Sequence, residues 1–197
     1  MVKIGEMEAK KTGKLLIRDY LAIEQENQQR YEYHDGAFFM MAGGSIQHGF
    51  LCGNVYGELR TSLKATEHCK AIPSDVKLYI KSENTFVYPD CMVICGEILV
   101  SEEEKNAITN PTLIIEVLSK TTSSYDRGDK FHLYRQIPSL REYVLIEQDK
   151  ILVEVYEKKE DLWKISRYTD LKSRIVFHSI KTELPMQEIY RDVNFNK

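Results

Sequence analysis

The chain is 197 residues long, 43% of its residues are hydrophobic and 29% are charged, and its formal net charge is −3. That length and apolar content indicate one globular domain with a core of its own, and no run approaches the roughly 18 apolar residues of a membrane span. The acidic balance argues against tight nonspecific binding of nucleic acid, although it allows a local basic cleft.

The first third of the chain predicts an arm, a hairpin and two helices. Residues 1–14 are polar, rich in lysine and without periodicity, which predicts a flexible arm before a single domain over 15–197. The arm lacks the apolar region of a signal peptide, so we expect a cytoplasmic protein. LLIRDYLAIEQENQ predicts a short amphipathic helix, and Asp35 with the glycine after it predicts a β-hairpin. Apolar residues from about 47 to 66 predict a long helix, and the segment Gly43, Gly44 and Ser45 before it could cap that helix.

The rest of the chain predicts strands around one further helix. AIPSDVKLYI and TFVYPDCMVIC each predict one strand, and the apolar run PTLIIEVLS predicts a third strand buried on both faces. A helix follows from about 126 to 137, with Asp126 as its N-cap. REYVLIEQDKILVEVYEKK predicts two strands around a turn, LWKISRY and RIVFHSI extend the sheet, and a short helix begins near Pro185. This order predicts an α/β or α+β architecture with a mixed sheet.

Two carboxylates interrupt runs that otherwise predict core strands, Asp90 in YPDCMVIC and Glu116 in LIIEVL. A buried, unpaired carboxylate is costly, so such residues are usually paired, metal-bound or functional. Alternation places Glu116 near the C-terminal end of its strand, where α/β sheets tend to place ligand sites. If Asp90 shares that face on the neighbouring strand, the two carboxylates would converge on a hard cation such as Mg²⁺ or Mn²⁺.

A lysine would complete such a site by orienting water or by stabilising charge on a phosphoryl group. Lys130 lies in the first turns of the following helix and can reach back over the sheet, whereas Lys120 lies in the connecting loop. Each residue also has a structural alternative, since Asp90 can be a turn residue after a proline and Lys130 can be a solvated partner of Asp126.

Other chemistries lack their sequence signals. The four cysteines do not resemble a disulfide framework, and we expect buried thiols rather than metal ligands. The sequence contains no G-x-S-x-G elbow, Walker loop, Rossmann glycine fingerprint or H-E-x-x-H motif.

Several blocks together resemble a known family. The order helix, three strands, helix and strand, with PD on one strand and E-V-L on the next, resembles the PD-(D/E)XK nuclease superfamily. More closely, RYEYHDG, SIQHGF, SDVKL, YPDCMVI, LIIEVLSKTT and YDRGDKFHLYRQIPSLREYVLIE resemble the Uma-two family of restriction-endonuclease-like proteins. The resemblance runs from about residue 16 to 156.

The resemblance implies a restriction-endonuclease-like core whose mixed sheet is extended by an N-terminal hairpin and by C-terminal antiparallel strands. It implies a metal-dependent endonuclease that hydrolyses phosphodiester bonds of nucleic acid, DNA foremost. Asp90, Glu116 and the Val117 carbonyl would hold Mg²⁺ or Mn²⁺. The superfamily's lysine two residues after the glutamate is here Leu118, and Lys130 is the position that matches the family's lysine in the following helix.

Further candidates come from the other recurring blocks and from nearby cations. The secondary site candidates are Glu32, His48 and Asp75, of which Glu32 can instead face solvent and His48 can instead cap or pack at a helix start. The candidates for holding a phosphate backbone, which positions nucleic acid without specifying its sequence, are Lys120, Arg127 and Arg135. A homodimer would help the domain to cover both strands. The alternative function, favoured by Leu118 and by the net charge, is a nuclease-fold module without turnover that binds nucleic acid or regulates.

Overall fold

The computed structural model describes residues 14–41, 43–65, 68–119 and 123–195. The predicted arm over 1–14 therefore lies outside the described residues except for Lys14, which forms an ion pair with Asp35 in the hairpin turn. The helices are α1 (Ile17–Asn27), α2 (Ile46–Ser62), α3 (Ser123–Tyr125), α4 (Phe131–Tyr134) and α5 (Met186–Ile189). No helix in these ranges is long and apolar enough to span a membrane.

Thirteen strands are described in these ranges. They are β1 (Tyr31–His34), β2 (Ala37–Met40), β3 (Cys69–Pro73), β4 (Lys77–Ile80), β5 (Thr85–Val87), β6 (Cys91–Cys95), β7 (Ala107–Ile108), β8 (Leu113–Leu118), β9 (Glu142–Glu147), β10 (Val153–Lys159), β11 (Leu162–Tyr168), β12 (Arg174–Phe177) and β13 (Thr182–Pro185). The hairpin, the two strands around the 148–152 turn and the short helix after Pro185 confirm the predictions.

The main sheet has six strands in the order β11-β10-β9-β8-β6-β3, and β8 and β9 run parallel while the other neighbours run antiparallel. A second sheet has the order β2-β1-β5-β4-β7, so the N-terminal hairpin joins this second sheet instead of extending the main one. The molecule is thus a mixed α+β fold, as predicted. The prediction for RIVFHSI was wrong in one respect, because β12 pairs with β13 in a separate two-stranded sheet.

Two predicted strands are each divided between the two sheets. AIPSDVKLYI forms β3 and β4, with a turn after Pro73, and TFVYPDCMVIC forms β5 and β6, with a break at Pro89 and Asp90. The prediction of continuous strands was wrong because proline has no N–H to donate to a strand ladder and favours an edge or a break. As a result, Asp90 lies where the chain passes from one sheet to the other.

The expectation that the cysteines are all free thiols was wrong for one pair. Cys69 on β3 lies opposite Cys95 on β6, and the two form a disulfide. Their sequence separation of 26 gave no indication that they would be cross-strand neighbours. Cys52 and Cys91 are free, and Cys91 is buried as predicted.

The helix after β8 differs from the prediction at both ends. It begins at Ser123 with α3, continues through a π-helical turn over Asp126–Lys130, and ends with α4 at Tyr134. Asp126 is therefore a buried residue of the π turn and not an N-cap. Such turns are rare and occur frequently at functional sites.

The main sheet has a hydrophobic core on each face. All six residues of β8 are buried, as predicted. Leu113, Ile115 and Val117 pack in the core that includes α2, whereas Ile114 and Leu118 pack in the core that includes Tyr134. The alternation along β8 is therefore confirmed. Ser45 caps α2, and its hydroxyl accepts a hydrogen bond from the His48 N–H, also as predicted.

Candidate active site

Glu116 is a buried carboxylate in the middle of the fold, with 3% of its surface exposed. Its Oε1 atom accepts a hydrogen bond of 2.6 Å from the Tyr134 hydroxyl and lies 2.9 Å from Lys130 Nζ. Burial raises the pKa of Glu116 to about 8, because the lysine only partly offsets the cost of placing a charge there. The carboxylates of Asp90 and Asp126 raise this pKa further.

Lys130 lies at the centre of a group of carboxylates. Besides Glu116, its ammonium lies 3.4 Å from Glu32 Oε1 and 3.7 Å from Asp126 Oδ1. Burial disfavours the charged lysine, but Glu116 and Glu32 outweigh burial and raise the pKa of Lys130 well above its usual value. The predicted pairing with Asp126 is present, although Lys130 is only 6% exposed and is not a solvated helix residue.

Glu32 reaches this group from β1, in the second sheet. Its Oε2 atom accepts a hydrogen bond of 3.4 Å from the Tyr125 hydroxyl and lies 3.4 Å from His34 Nε2. Burial alone would raise the pKa of Glu32, but Lys130 and His34 lower it to about 2. Glu32 is therefore ionised near neutral pH, even though only 7% of its surface is exposed.

Asp90 approaches from the other side of Glu116. Cys91 lies opposite Ile115 in the pairing of β6 with β8, so continuing that register brings Asp90 to the level of Glu116. The Asp90 Oδ2 atom accepts the Val117 N–H at 2.8 Å and lies 3.3 Å from His48 Nε2. The hydrogen bond to Asp90 raises the pKa of His48 above its usual value, although burial opposes this.

These side chains line one cavity of about 580 Å³ between the two sheets, the start of α2 and the π turn. The cavity brings together three predicted site residues, Asp90, Glu116 and Lys130, and the secondary candidates Glu32 and His48. The described residues that line the cavity include five acidic side chains, since Asp126 and Asp149 join the three named above, and one lysine. The cavity is therefore rich in carboxylates, whose mutual repulsion a bound cation would offset. Carboxylate and carbonyl oxygens are the donors that Mg²⁺ prefers, and this donor set fits such an ion.

The comparisons with known proteins show the family of this chain. A model of the Uma-two family, described as "Putative restriction endonuclease", matches residues 17–187. The chain belongs to the Uma-two family. Two uncharacterized Synechocystis proteins are similar to it: slr1290 is 32% identical over 92% of this chain and 94% of its own, and sll1609 is 33% identical over 85% and 94%.

A solved structure has the same fold. It is the crystal structure of a "putative nuclease belonging to DUF820" from Anabaena variabilis, with a TM-score of 0.71 and 16% sequence identity. The match covers 89% of this chain and 97% of that chain. The Uma-two chain described here therefore has a restriction-endonuclease-like nuclease fold.

The superfamily pattern places a lysine two residues after the glutamate, where this chain has Leu118. The structure shows where Leu118 and Lys130 lie instead. Leu118 shares the Glu116 face of β8 but is only 1% exposed and packs in the core beneath α4. Lys130 instead brings an ammonium from the π turn to 2.9 Å from Glu116. In this Uma-two chain, the charge next to the glutamate thus comes from the helix and not from the strand.

Of the other predicted residues, the three that the structure describes do not line the cavity. Asp75 is exposed and forms an ion pair of 3.0 Å with Arg30. Arg127 donates to Glu147 at 2.7 Å and also to Glu154. Arg135 is exposed just after α4, and Lys120 lies outside the described residues.

Sequence patterns gave little indication of several residues at the site. These are Cys52, Tyr125, Asp126 and Tyr134. Cys52 follows His48 by four residues on α2, and Tyr134 follows Lys130 by four, so helical spacing was the available signal. The hydroxyl of Tyr125 could not have been placed from spacing, because it depends on how β1 packs against the π turn.

Proposed function

We propose that this protein is a metal-dependent endonuclease that hydrolyses phosphodiester bonds of nucleic acid, with DNA as the main substrate. The observation that supports this most strongly is the buried pair of Glu116 and Lys130, with 2.9 Å between Oε1 and Nζ, in a cavity that Asp90 also lines. A carboxylate pair with an adjacent lysine suits phosphoryl chemistry, which depends on positioning and on electrostatic stabilisation.

Asp90, Glu116 and the Val117 carbonyl are the proposed ligands of Mg²⁺ or Mn²⁺. When bound, such an ion supplies water of lowered pKa and polarises the scissile phosphate. The Val117 N–H holds Asp90 Oδ2 at 2.8 Å, and the Tyr134 hydroxyl holds Glu116 at 2.6 Å. Each carboxylate is thus oriented by a hydrogen bond from a group outside the proposed metal-ligand atoms.

Lys130 is proposed to stabilise the charge that develops on the phosphate. Glu32 and Asp126 help to keep its ammonium protonated. Because the ammonium is buried at the edge of the cavity, it acts in a medium of low dielectric constant, where electrostatic stabilisation is stronger than in water. Lys130 also lies close enough to Glu116 to orient a water molecule between the carboxylates and the substrate.

We place this activity in a cytoplasmic protein with one domain over 15–197. The nucleic acid would enter the cavity from the surface of that domain. Arg135 and Lys120 are the proposed contacts to the phosphate backbone, and a homodimer would present two cavities to a duplex. Arg127 is the weaker candidate of the three, because its guanidinium already donates to Glu147 and Glu154.

A second candidate function is a nuclease-fold module that binds nucleic acid or regulates without turnover. One observation favours it: among the described residues that line the cavity, Lys130 is the one lysine or arginine, and it is already paired with Glu116. A cavity with so little positive charge attracts a phosphate weakly unless a divalent ion is bound.

Cleavage of plasmid and single-stranded DNA with Mg²⁺ or Mn²⁺ separates the two functions. We expect wild type to cleave, and we expect Asp90→Asn and Glu116→Gln to lose about 100-fold or more, since even loss of a residue that orients a ligand costs about 10- to 100-fold. Asp75→Asn is the matched control, because Asp75 is an exposed acid outside the cavity lining. If wild type is as inactive as both variants with either ion, the endonuclease proposal is wrong and the binding module is favoured.

A further inference from the structure

A second group of donor atoms lies on the α2 side of the cavity. It consists of His48, Cys52 and Asp90, whose donor atoms all lie within 4.8 Å of one another. His48 Nε2 is 3.3 Å from Asp90 Oδ2 and 3.9 Å from Cys52 Sγ. His48 and Cys52 are four residues apart, so α2 presents both side chains on one face.

These separations suit a single tetrahedral ion. With metal–nitrogen and metal–oxygen bonds of about 2.0–2.1 Å and a metal–sulfur bond of about 2.3 Å, neighbouring donors in a tetrahedron are roughly 3.3–3.6 Å apart. The 3.3 Å between nitrogen and oxygen already matches, and the 3.9 Å between nitrogen and sulfur needs only a small rotation of the Cys52 side chain. The three residues are half-buried, and two of them, His48 and Asp90, line the cavity from which an ion would enter.

We propose that His48, Cys52 and Asp90 form a binding site for a transition-metal ion of the Zn²⁺ or Co²⁺ type. Imidazole and thiolate select such ions over Mg²⁺, which prefers oxygen donors. Binding breaks the Cys52 S–H bond, forms a metal–sulfur bond and releases the proton to solvent, while His48 binds as neutral imidazole. The site goes beyond the proposed endonuclease and does not depend on turnover, although both use Asp90.

Three protein ligands leave a fourth tetrahedral position open. His48 and Asp90 both line the cavity, so this position faces the space in which Glu116 and Lys130 lie. Zinc sites that are closed by four protein ligands are structural, whereas three ligands and an open position are typical of sites that take water or a substrate. The proposed ion would therefore lie within reach of a ligand in the cavity.

Titration of the full-length protein with Co²⁺ tests the site, because a cobalt–thiolate bond gives a charge-transfer absorption band that oxygen and nitrogen ligands do not give. We expect one equivalent of Co²⁺ to produce the band in wild type and Cys52→Ser to abolish it. His48→Ala should weaken Co²⁺ binding by at least about 10- to 100-fold, because it removes a ligand, and losing even a residue that only orients a ligand costs that much. Cys91→Ala is the matched control, since Cys91 is the other free cysteine of the described residues, and it should keep the band.

The absence of the band in wild type at saturating Co²⁺, or its persistence in Cys52→Ser, would overturn the proposal. A measurement on wild type alone guards against a variant that fails to fold: Zn²⁺ should slow alkylation of Cys52, measured by peptide mass spectrometry, and an unchanged rate would also overturn it. Glu116→Gln separates this site from the endonuclease proposal, because that change should abolish Mg²⁺-dependent cleavage and leave the cobalt band in place.

Discussion

Glu32 offers the sharpest test of how the buried charges hold the two sheets together. Its pKa is lowered from the usual 4.5 to about 2, mainly because Lys130 and His34 outweigh the effect of burial. At about 1.4 kcal/mol for each tenfold change in proton affinity, this corresponds to about 3 kcal/mol in favour of the folded state. Because Glu32 is buried, little of this energy is lost to screening by solvent. We therefore expect Glu32→Gln to lower the free energy of unfolding by about 3 kcal/mol at pH 7.

The sign of the pH dependence follows from the lowered pKa. The stabilisation is present above pH 4.5, where the unfolded protein is ionised too, and it is lost as the pH falls towards 2. Urea unfolding of wild type and Glu32→Gln should thus give free energies that converge between pH 5 and pH 2.5. Glu26→Gln, on the exposed side of α1, is the control and should change stability by less than about 0.5 kcal/mol. If the free energies of unfolding of wild type and Glu32→Gln differ by the same amount at pH 5 and at pH 2.5, the energy does not come from an ionised Glu32.

Three further changes test other contacts. Lys130→Met leaves the facing carboxylates without their cation and should destabilise the fold by about 3–5 kcal/mol in urea unfolding, whereas Lys164→Met, at an exposed position on β11, should not. Tyr134→Phe removes a 2.6 Å hydrogen bond to the buried glutamate of β8 and should cost about 1.5–3 kcal/mol by thermal unfolding; an unchanged melting temperature would contradict this. Cys69→Ser with Cys95→Ser opens the disulfide and should cost about 2–4 kcal/mol, and adding a reductant to wild type should give the same loss.

The elements that could be predicted are those that depend on local pattern. The six residues of β8 are buried because nearly all are apolar, and the hairpin forms because Asp35 and Gly36 both have the positive φ that its tight turn requires. The breaks at Pro73 and Pro89 were missed for a different reason. Each run contains apolar residues on both sides of its proline, so its composition resembles that of one continuous strand. The proline allows a break, and the packing of two separate sheets then takes the chain from one ladder into the other.

The candidate site could be predicted in its centre but not at its margins. Asp90 and Glu116 were predicted because charges in apolar runs are conspicuous and because neighbouring strands bring them to one edge. Lys130 was predicted from its place in the following helix and from the family resemblance. The π turn could not be predicted, since it differs from an α-helix by one residue in its hydrogen-bond spacing and not in its composition. That turn buries both Asp126 and Lys130, so the prediction of an N-cap at Asp126 was wrong. Lys130 lies 2.9 Å from Glu116, and its role as a site residue stays a prediction.

The position of Lys130 also links the assembly of the site to the docking of the sheets. Glu116 belongs to the main sheet, Glu32 to the second sheet, and Lys130 to the helical segment between β8 and β9. None of these charges can be buried alone without a large cost, so the second sheet and the helix must close over β8 together. A lysine at position 118 would have supplied a charge to Glu116 from within one strand, and it would not have linked Glu116 to Glu32 as Lys130 does. Because the lysine comes from the helical segment, Glu116, Glu32 and Lys130 come together only when that segment and both sheets pack against one another.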